Sequence, residues 1–187
     1  CVDSAPLAER ALAQRAGLGW QGKNGTLIAS RLGSWFVLGE IVWDLEVEPD
    51  DPDPVSSHCG TCDLCLRACP TGALRAPYEI DVSRCLSYLT IEHRAEIPKH
   101  IQRQIGDRLF GCDACQEACP HNALAAPPDQ PAFQSLFGPR LPLPPLLDMA
   151  DADFADRFET SALRRAGPDG LRCNAKAVLA NLPSSLA

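Results

Sequence analysis

Seven of the ten cysteines in this 187-residue chain fall in two runs, Cys59-x2-Cys62-x2-Cys65-x3-Cys69-Pro70 and Cys112-x2-Cys115-x3-Cys119-Pro120. Thiolates at that spacing, closed by proline, are the ligand pattern of paired 4Fe–4S clusters, in which the last cysteine of each run serves the cluster of the other. Overlaying the runs at an offset of fifty residues puts Leu109 where the second run should have its first cysteine. Cys85 is the only cysteine between the runs, so it is the natural substitute. The expected ligand sets are Cys59, Cys62, Cys65 and Cys119 for one cluster, and Cys69, Cys85, Cys112 and Cys115 for the other. Two clusters within electron-transfer reach make a wire, whose potentials the protein tunes by burial and by hydrogen bonds to sulfur.

Two other chemistries compete for these thiols. Structural zinc favours two CxxC pairs separated by a longer loop, which four cysteines in eleven residues do not provide. A disulfide framework belongs to small secreted chains, and no signal peptide or twin-arginine segment is visible. Cys1 and Cys173 stand outside the pattern and read as small, partly buried thiols.

The elements that must position the cysteines follow from the flanking sequence. Leu7, Ala8, Ala11 and Leu12 keep helical spacing, with Asp3 or Ser4 as N-cap, Pro6 in the first turn and Gly17 at C′. Gly22–Gly25 form a loop around Lys23 and Asn24. Thr26–Ser30 and Trp35–Leu45 read as strands joined like a hairpin across residues 31–34. Trp20, Trp35 and Trp43 read as core. Glu48–Ser57, rich in proline and acid, is a linker. Each cysteine run ends in a proline able to start a short helix, and Val82–Ile105 between the runs reads as helices broken at Pro98. Pro127–Pro145 reads as an extended surface segment. From Met149 the chain reads as helical, with Phe154, Phe158, Leu163, Leu171, Val178 and Leu179 as contacts and a break at Gly167-Pro168. The expected segments are 1–57 (the end of a cofactor-binding domain plus an acidic linker), 58–126 (the cluster domain) and 127–187 (a proline-rich linker and terminal helices).

A 45% apolar content supports a core, and no apolar run approaches the roughly 20 residues that a membrane span needs. The net charge of −7 argues against a general nucleic-acid binder. Yet seven acids and no base lie between Glu40 and Asp53, and the remainder is neutral overall with two basic clusters. One spans Arg84 to Arg108 and the other Arg157 to Lys176. Solvated helix faces explain them more simply than a polyanion partner.

Five ordered blocks carry a family resemblance beyond the cysteine runs. They are Asp3–Ala11, Gly17–Asn24 (Gly-Leu-Gly-Trp-Gln-Gly-Lys-Asn), Gly33–Ile41, Arg84–Glu92 and Ile105–Asp113. Together with the runs they resemble epoxyqueuosine reductase over most of the chain. The resemblance implies an α+β fold, in which a ferredoxin-like two-cluster domain follows the end of an α/β cobalamin-binding domain and precedes a helical tail. It implies two 4Fe–4S clusters and cobalamin as cofactors, and reduction of epoxyqueuosine to queuosine at the wobble position of tRNA. An external electron donor, a cytoplasmic location and a monomer follow as expectations.

The same resemblance makes Asp3 the acid that protonates the opened epoxide oxygen, where its residue type alone suggests an N-cap. It makes Arg10, Lys23, Asn24 and Ser87 cobalamin contacts, with Tyr88 and Thr90 also facing the corrin. Members of that family carry a substantial part before the aspartate block, so the chain is expected to lack the N-terminal part. A reductive dehalogenase and a non-enzymatic electron-transfer module are the alternatives. The position of Asp3 in its block speaks against the first, and the segments flanking the clusters speak against the second.

Overall fold

The computed structural model describes residues 1–182 except 3, 4, 49, 51, 54, 124, 129, 134 and 139. Its elements are short: α1 (Glu9–Arg15), β1 (Trp20–Gln21), β2 (Leu27–Ile28), α2 (Leu64–Ala68), β3 (Leu74–Ala76), β4 (Glu79–Ile80), α3 (Leu86–Ile91), α4 (Lys99–Ile105), α5 (Ala114–Glu117), α6 (Pro144–Leu147), α7 (Asp151–Arg157) and α8 (Gly167–Leu179). Short 3-10 turns at Val82–Arg84, Pro120–Asn122, Pro131–Phe133 and Ala162–Ala166 complete the set. Among the described residues no helix is long and apolar enough to cross a membrane. Packing divides the chain into two compact units that interleave along the sequence. The first takes residues 1–69, 74–80 and 114–127, and the second takes 70–73, 81–113 and 128–187.

In the first unit α1 begins at Glu9 with Ala8 in the cap position and no side-chain cap. That corrects the expected cap at Asp3 or Ser4, both of which lie outside the described residues. Gly17 takes φ +70° just past the C-cap Ala16, the left-handed stop that a helix end favours. The hairpin differs from its expected position. Trp20 pairs with Ile28 and Gln21 with Leu27 across the Gly22–Thr26 turn, and a bridge from Ala29 to Gly33 continues beyond it.

Trp35–Leu45 forms no strand among its described residues. The reason lies in its side chains: Val37, Ile41, Val42, Trp43 and Leu45 are all exposed. β-branched and aromatic residues become strand only against a surface that buries them. Trp20 is buried as expected, but Trp35 and Trp43 are exposed. A second hairpin joins β3 to β4, and α2 packs against α5, so the two halves of the internal repeat meet through equivalent helices.

The second unit is built from apolar packing. Leu86 and Leu89 of α3, Ile101 and Ile105 of α4, and Ala177 and Val178 of α8 form one cluster with Ile97. Leu146, Phe154, Phe158, Leu171 and Ala175 form another. Pro98 caps α4, and Gly167-Pro168 opens α8, so both expected breaks separate helices. The expected extended segment does not simply drape. Phe137, Leu141 and Leu143 tuck against the second cluster, and Phe137 meets the Phe158 ring edge-on at 5.2 Å.

Candidate metal centre

Four thiols converge in the first unit. Cys59 opens a tight turn in which the Cys62 N–H donates to the Cys59 carbonyl at 2.9 Å. Cys65 rides on α2. Cys119 stands at the start of the Pro120–Asn122 turn, with the proline in its first position. Pro70, by contrast, opens a plain turn rather than a helix. Cys59, Cys62, Cys65 and Cys119 line one cavity together with Lys23, Asn24, Ile28, Pro120 and His121. This is the set that sequence spacing assigns to a single cluster.

The electrostatics agree with the convergence. Burial pushes the thiols of Cys65 and Cys119 above the ordinary value. The neighbouring sulfurs add to this: Cys119 and Cys59 act on Cys65, and Cys59 and Cys62 act on Cys119. Backbone N–H groups work the other way, from Leu66 on Cys65 and from His121 on Cys119. Thiols crowded in this way must lose protons to be ligands, and a cationic iron centre supplies the compensation. N–H groups aimed at sulfur also stabilise a reduced cluster.

Lys23 and Trp20 hold the walls of this site. The Lys23 ammonium donates to the Gly60 carbonyl at 2.6 Å and to the Cys62 carbonyl at 2.8 Å. Its own carbonyl accepts from Tyr78 N–H at 2.9 Å. Lys23 was expected at cobalamin; in the structure its ammonium sits on the cysteine loop, within reach of these two backbone oxygens. Trp20 is wedged edge-on between His58 at 4.8 Å and His121 at 5.0 Å, residues adjoining Cys59 and Pro120. Nothing in the sequence spacing announced that wedge.

A second cavity of about 280 Å³ lies in the same unit, lined by Arg10, Asn24, Gly25, Thr26, Leu27, Ser34, Phe36 and Gln116, among others. Arg10 donates to the Gly25 carbonyl. Asn24 is buried, and its Oδ1 accepts from Thr26 N at 3.2 Å and Thr26 Oγ1 at 2.9 Å. Those two donors fix the amide orientation, and Nδ2 is left buried with no partner among the described residues.

A polar network braces the cavity from the side of the second cysteine run. Asn122 Oδ1 accepts from Ser34 N at 2.6 Å, Ser34 Oγ donates to Gln116 Oε1 at 2.9 Å, and Asn122 Nδ2 donates to the Gln116 carbonyl at 2.7 Å. Gly33 fits there because it takes φ +62° and any Cβ would collide with Asn122 Oδ1. The sequence had not singled out Ser34, Gln116 or Asn122. Their common signal is only that each stands within five residues of a motif glycine or cysteine.

The remaining expected site residues fall in different places. Cys69 and Cys115 belong to the first unit, and Cys85 and Cys112 to the second. Cys85 heads α3, and Cys112 lies against the first apolar cluster. Ser87 sits on α3, partly buried. Thr90, expected toward the corrin, is buried. Its hydroxyl donates to the Leu86 carbonyl at 2.7 Å and accepts from Gly111 N at 2.9 Å, so it fixes the residue beside Cys112. Asp3 lies outside the described residues. No cysteine is disulfide-bonded among the described residues; Cys1 is exposed rather than partly buried, and Cys173 is partly buried as expected.

Cavity, thiols and repeat together define a double-cluster iron–sulfur protein, and residues 58–122 match the family described as a 4Fe-4S double cluster binding domain. Over nearly its whole length the chain is similar to epoxyqueuosine reductases. It is 46% identical over 185 residues to the epoxyqueuosine reductase of Xanthomonas campestris pv. campestris, a match covering 98% of this chain and 52% of the relative. A crystal structure of epoxyqueuosine reductase with an epoxyqueuosine-modified tRNA-Tyr stem loop superposes with a TM-score of 0.89 at 35% identity, covering 97% of this chain and 48% of that one. The Bacillus subtilis enzyme, solved with its aspartate-bearing catalytic loop swung out of the active site, gives 0.75 at 33%, covering 94% and 46%. The chain spans about half the length of the curated relatives it matches.

Proposed function

We propose that this chain serves in the reduction of epoxyqueuosine to queuosine at the wobble position of tRNA, with electrons from an external donor passing through two 4Fe–4S clusters to cobalamin. The observation that carries the reading is the four-cysteine cavity in a chain 46% identical to an epoxyqueuosine reductase. The overall reaction balances as epoxide plus two electrons and two protons giving alkene plus water. A wire of clusters is suited to delivering those electrons one at a time.

Cys59, Cys62, Cys65 and Cys119 would hold one cluster, and Cys69, Cys85, Cys112 and Cys115 the other. The second cavity of the first unit is proposed to take one edge of a corrin. Asn24, whose buried Nδ2 has no partner among the described residues, lines it beside Arg10 and the apolar Leu27 and Phe36, and could donate to a cofactor oxygen. An unsatisfied buried N–H costs about 1–3 kcal/mol, and an acceptor on the cofactor would remove that cost. Ser87 is proposed to reach the corrin as well. Cobalamin, when bound, supplies a reducible cobalt able to pass electrons to the epoxide carbon.

Asp3 is proposed to give its proton to the epoxide oxygen as the C–O bond breaks, which prevents a free alkoxide from building up. The Bacillus subtilis relative carries an aspartate on its catalytic loop, which supports that role. A tRNA substrate places the work in the cytoplasm. The test is tRNA from a strain lacking the gene. Epoxyqueuosine should accumulate, the intact natural gene should restore queuosine, and an Asp3→Asn version should not. Unchanged queuosine in the deletion strain would overturn the proposal.

A further inference from the structure

Lys23 carries a role that neither the cysteine motif nor the proposed reaction assigns. Its side chain lines the cavity of Cys59, Cys62, Cys65 and Cys119, and its ammonium bridges the carbonyls of Gly60 and Cys62, inside the turn that presents the first two thiolates. Gly60 takes φ +48° there, so the turn exposes backbone oxygens that the regular structure of α2 does not use. The backbone of Lys23 is pinned in its turn by Tyr78 at the tip of the β3–β4 hairpin. The residue is therefore held at its backbone and at its ammonium.

The charge balance around the cavity gives that anchoring a consequence. Four thiolates and a cubane carry net negative charge, which grows by one unit on reduction. Among the described residues no other Lys or Arg lines the cavity. A fixed positive charge beside a cluster favours its reduced form, and cluster potential follows net charge together with hydrogen bonding and exposure. The same contacts hold the turn to the spacing that the cluster requires.

We propose that Lys23 is a positioning residue that clamps the Cys59–Cys62 turn and raises the reduction potential of the cluster bound there. This rests on the cysteine assignment above, and the experiment separates the two. In the intact natural protein, purified anaerobically, EPR-monitored redox titration gives the potential of each cluster. The signal lost in Cys119→Ser identifies the relevant one; if that variant loses no signal, the cysteine assignment itself fails.

Lys23→Gln keeps one hydrogen-bond donor toward the carbonyls and removes the charge. It should retain iron and sulfide yet shift the reduced-to-oxidised ratio of the assigned cluster about tenfold toward oxidised at a fixed ambient potential, about 59 mV for a one-electron couple. Lys23→Arg should restore the wild-type value. An unchanged potential in Lys23→Gln overturns the proposal. So does loss of the cluster from Lys23→Gln with retained secondary structure, since the charge would then serve assembly and not poise.

Discussion

The two compact units differ in how much apolar core they enclose. The second unit encloses two apolar clusters, in which Ile105, Phe158 and Ala175 are wholly buried. The first has a sparser apolar set, with Trp20, Leu27, Ile28 and Leu74 among its buried members. Side-chain hydrogen bonds to backbone brace both, from Arg10, Lys23 and Asn122 in the first and from Arg84, Arg94, Asn174 and Asn181 in the second. Six of the eight motif cysteines, all but Cys85 and Cys112, belong to the first unit. Sulfur that must carry charge does not pack as hydrocarbon, so the unit richer in it takes less of its stability from area removed from water.

Substitutions can break or sharpen that contrast. The largest effect is expected from Cys119→Ser. Iron should fall from about eight per protein to about four, and hydrogen exchange should quicken in the Cys59–Cys65 turn while the amides of α8 stay protected. Rapid exchange throughout α8 in the same variant would erase the distinction. Phe158→Ala comes next. Phe158 packs on Phe154 at 5.1 Å and on Phe137, and its loss should cost about 3–5 kcal/mol in chemical denaturation with iron content unchanged.

A smaller effect is expected from Asn122→Ala, which strips the acceptor from Ser34 N–H, while the Gln116 carbonyl keeps the Cys119 N–H at 3.0 Å. Leaving the Ser34 N–H unsatisfied costs about 1–3 kcal/mol, seen as faster exchange at that amide. Arg67→Ala should be nearly silent. Its pair with Asp63 at 3.0 Å is exposed and spans one helical turn, a contact worth about 0.3–0.5 kcal/mol. A cost above about 1 kcal/mol by the same denaturation would mean that α2 depends on surface charge.

The cysteine spacing alone pointed to iron–sulfur chemistry and grouped Cys59, Cys62, Cys65 and Cys119, which the fold brings to one cavity, because thiolate–iron bonding constrains residue type and separation tightly. It also placed the breaks at Pro98 and Gly167-Pro168, where ring geometry and a missing N–H act locally. The Trp35–Leu45 stretch shows the opposite case. Its composition satisfies every local rule for a strand, yet strand formation needs a partner edge and a surface to bury against, and neither is a property of the segment.

Contacts between residues far apart in the chain were hidden for the same reason. Ser34 meets Asn122, Trp20 meets His58 and His121, and Thr90 meets Gly111 only once the backbone has folded. Lys23 is the sharpest instance. Its loop was visible from Gly22 and Gly25, but the choice of the Gly60 and Cys62 carbonyls as partners was made by the fold. A side chain that can swing through several ångströms goes wherever unsatisfied oxygen lies within reach.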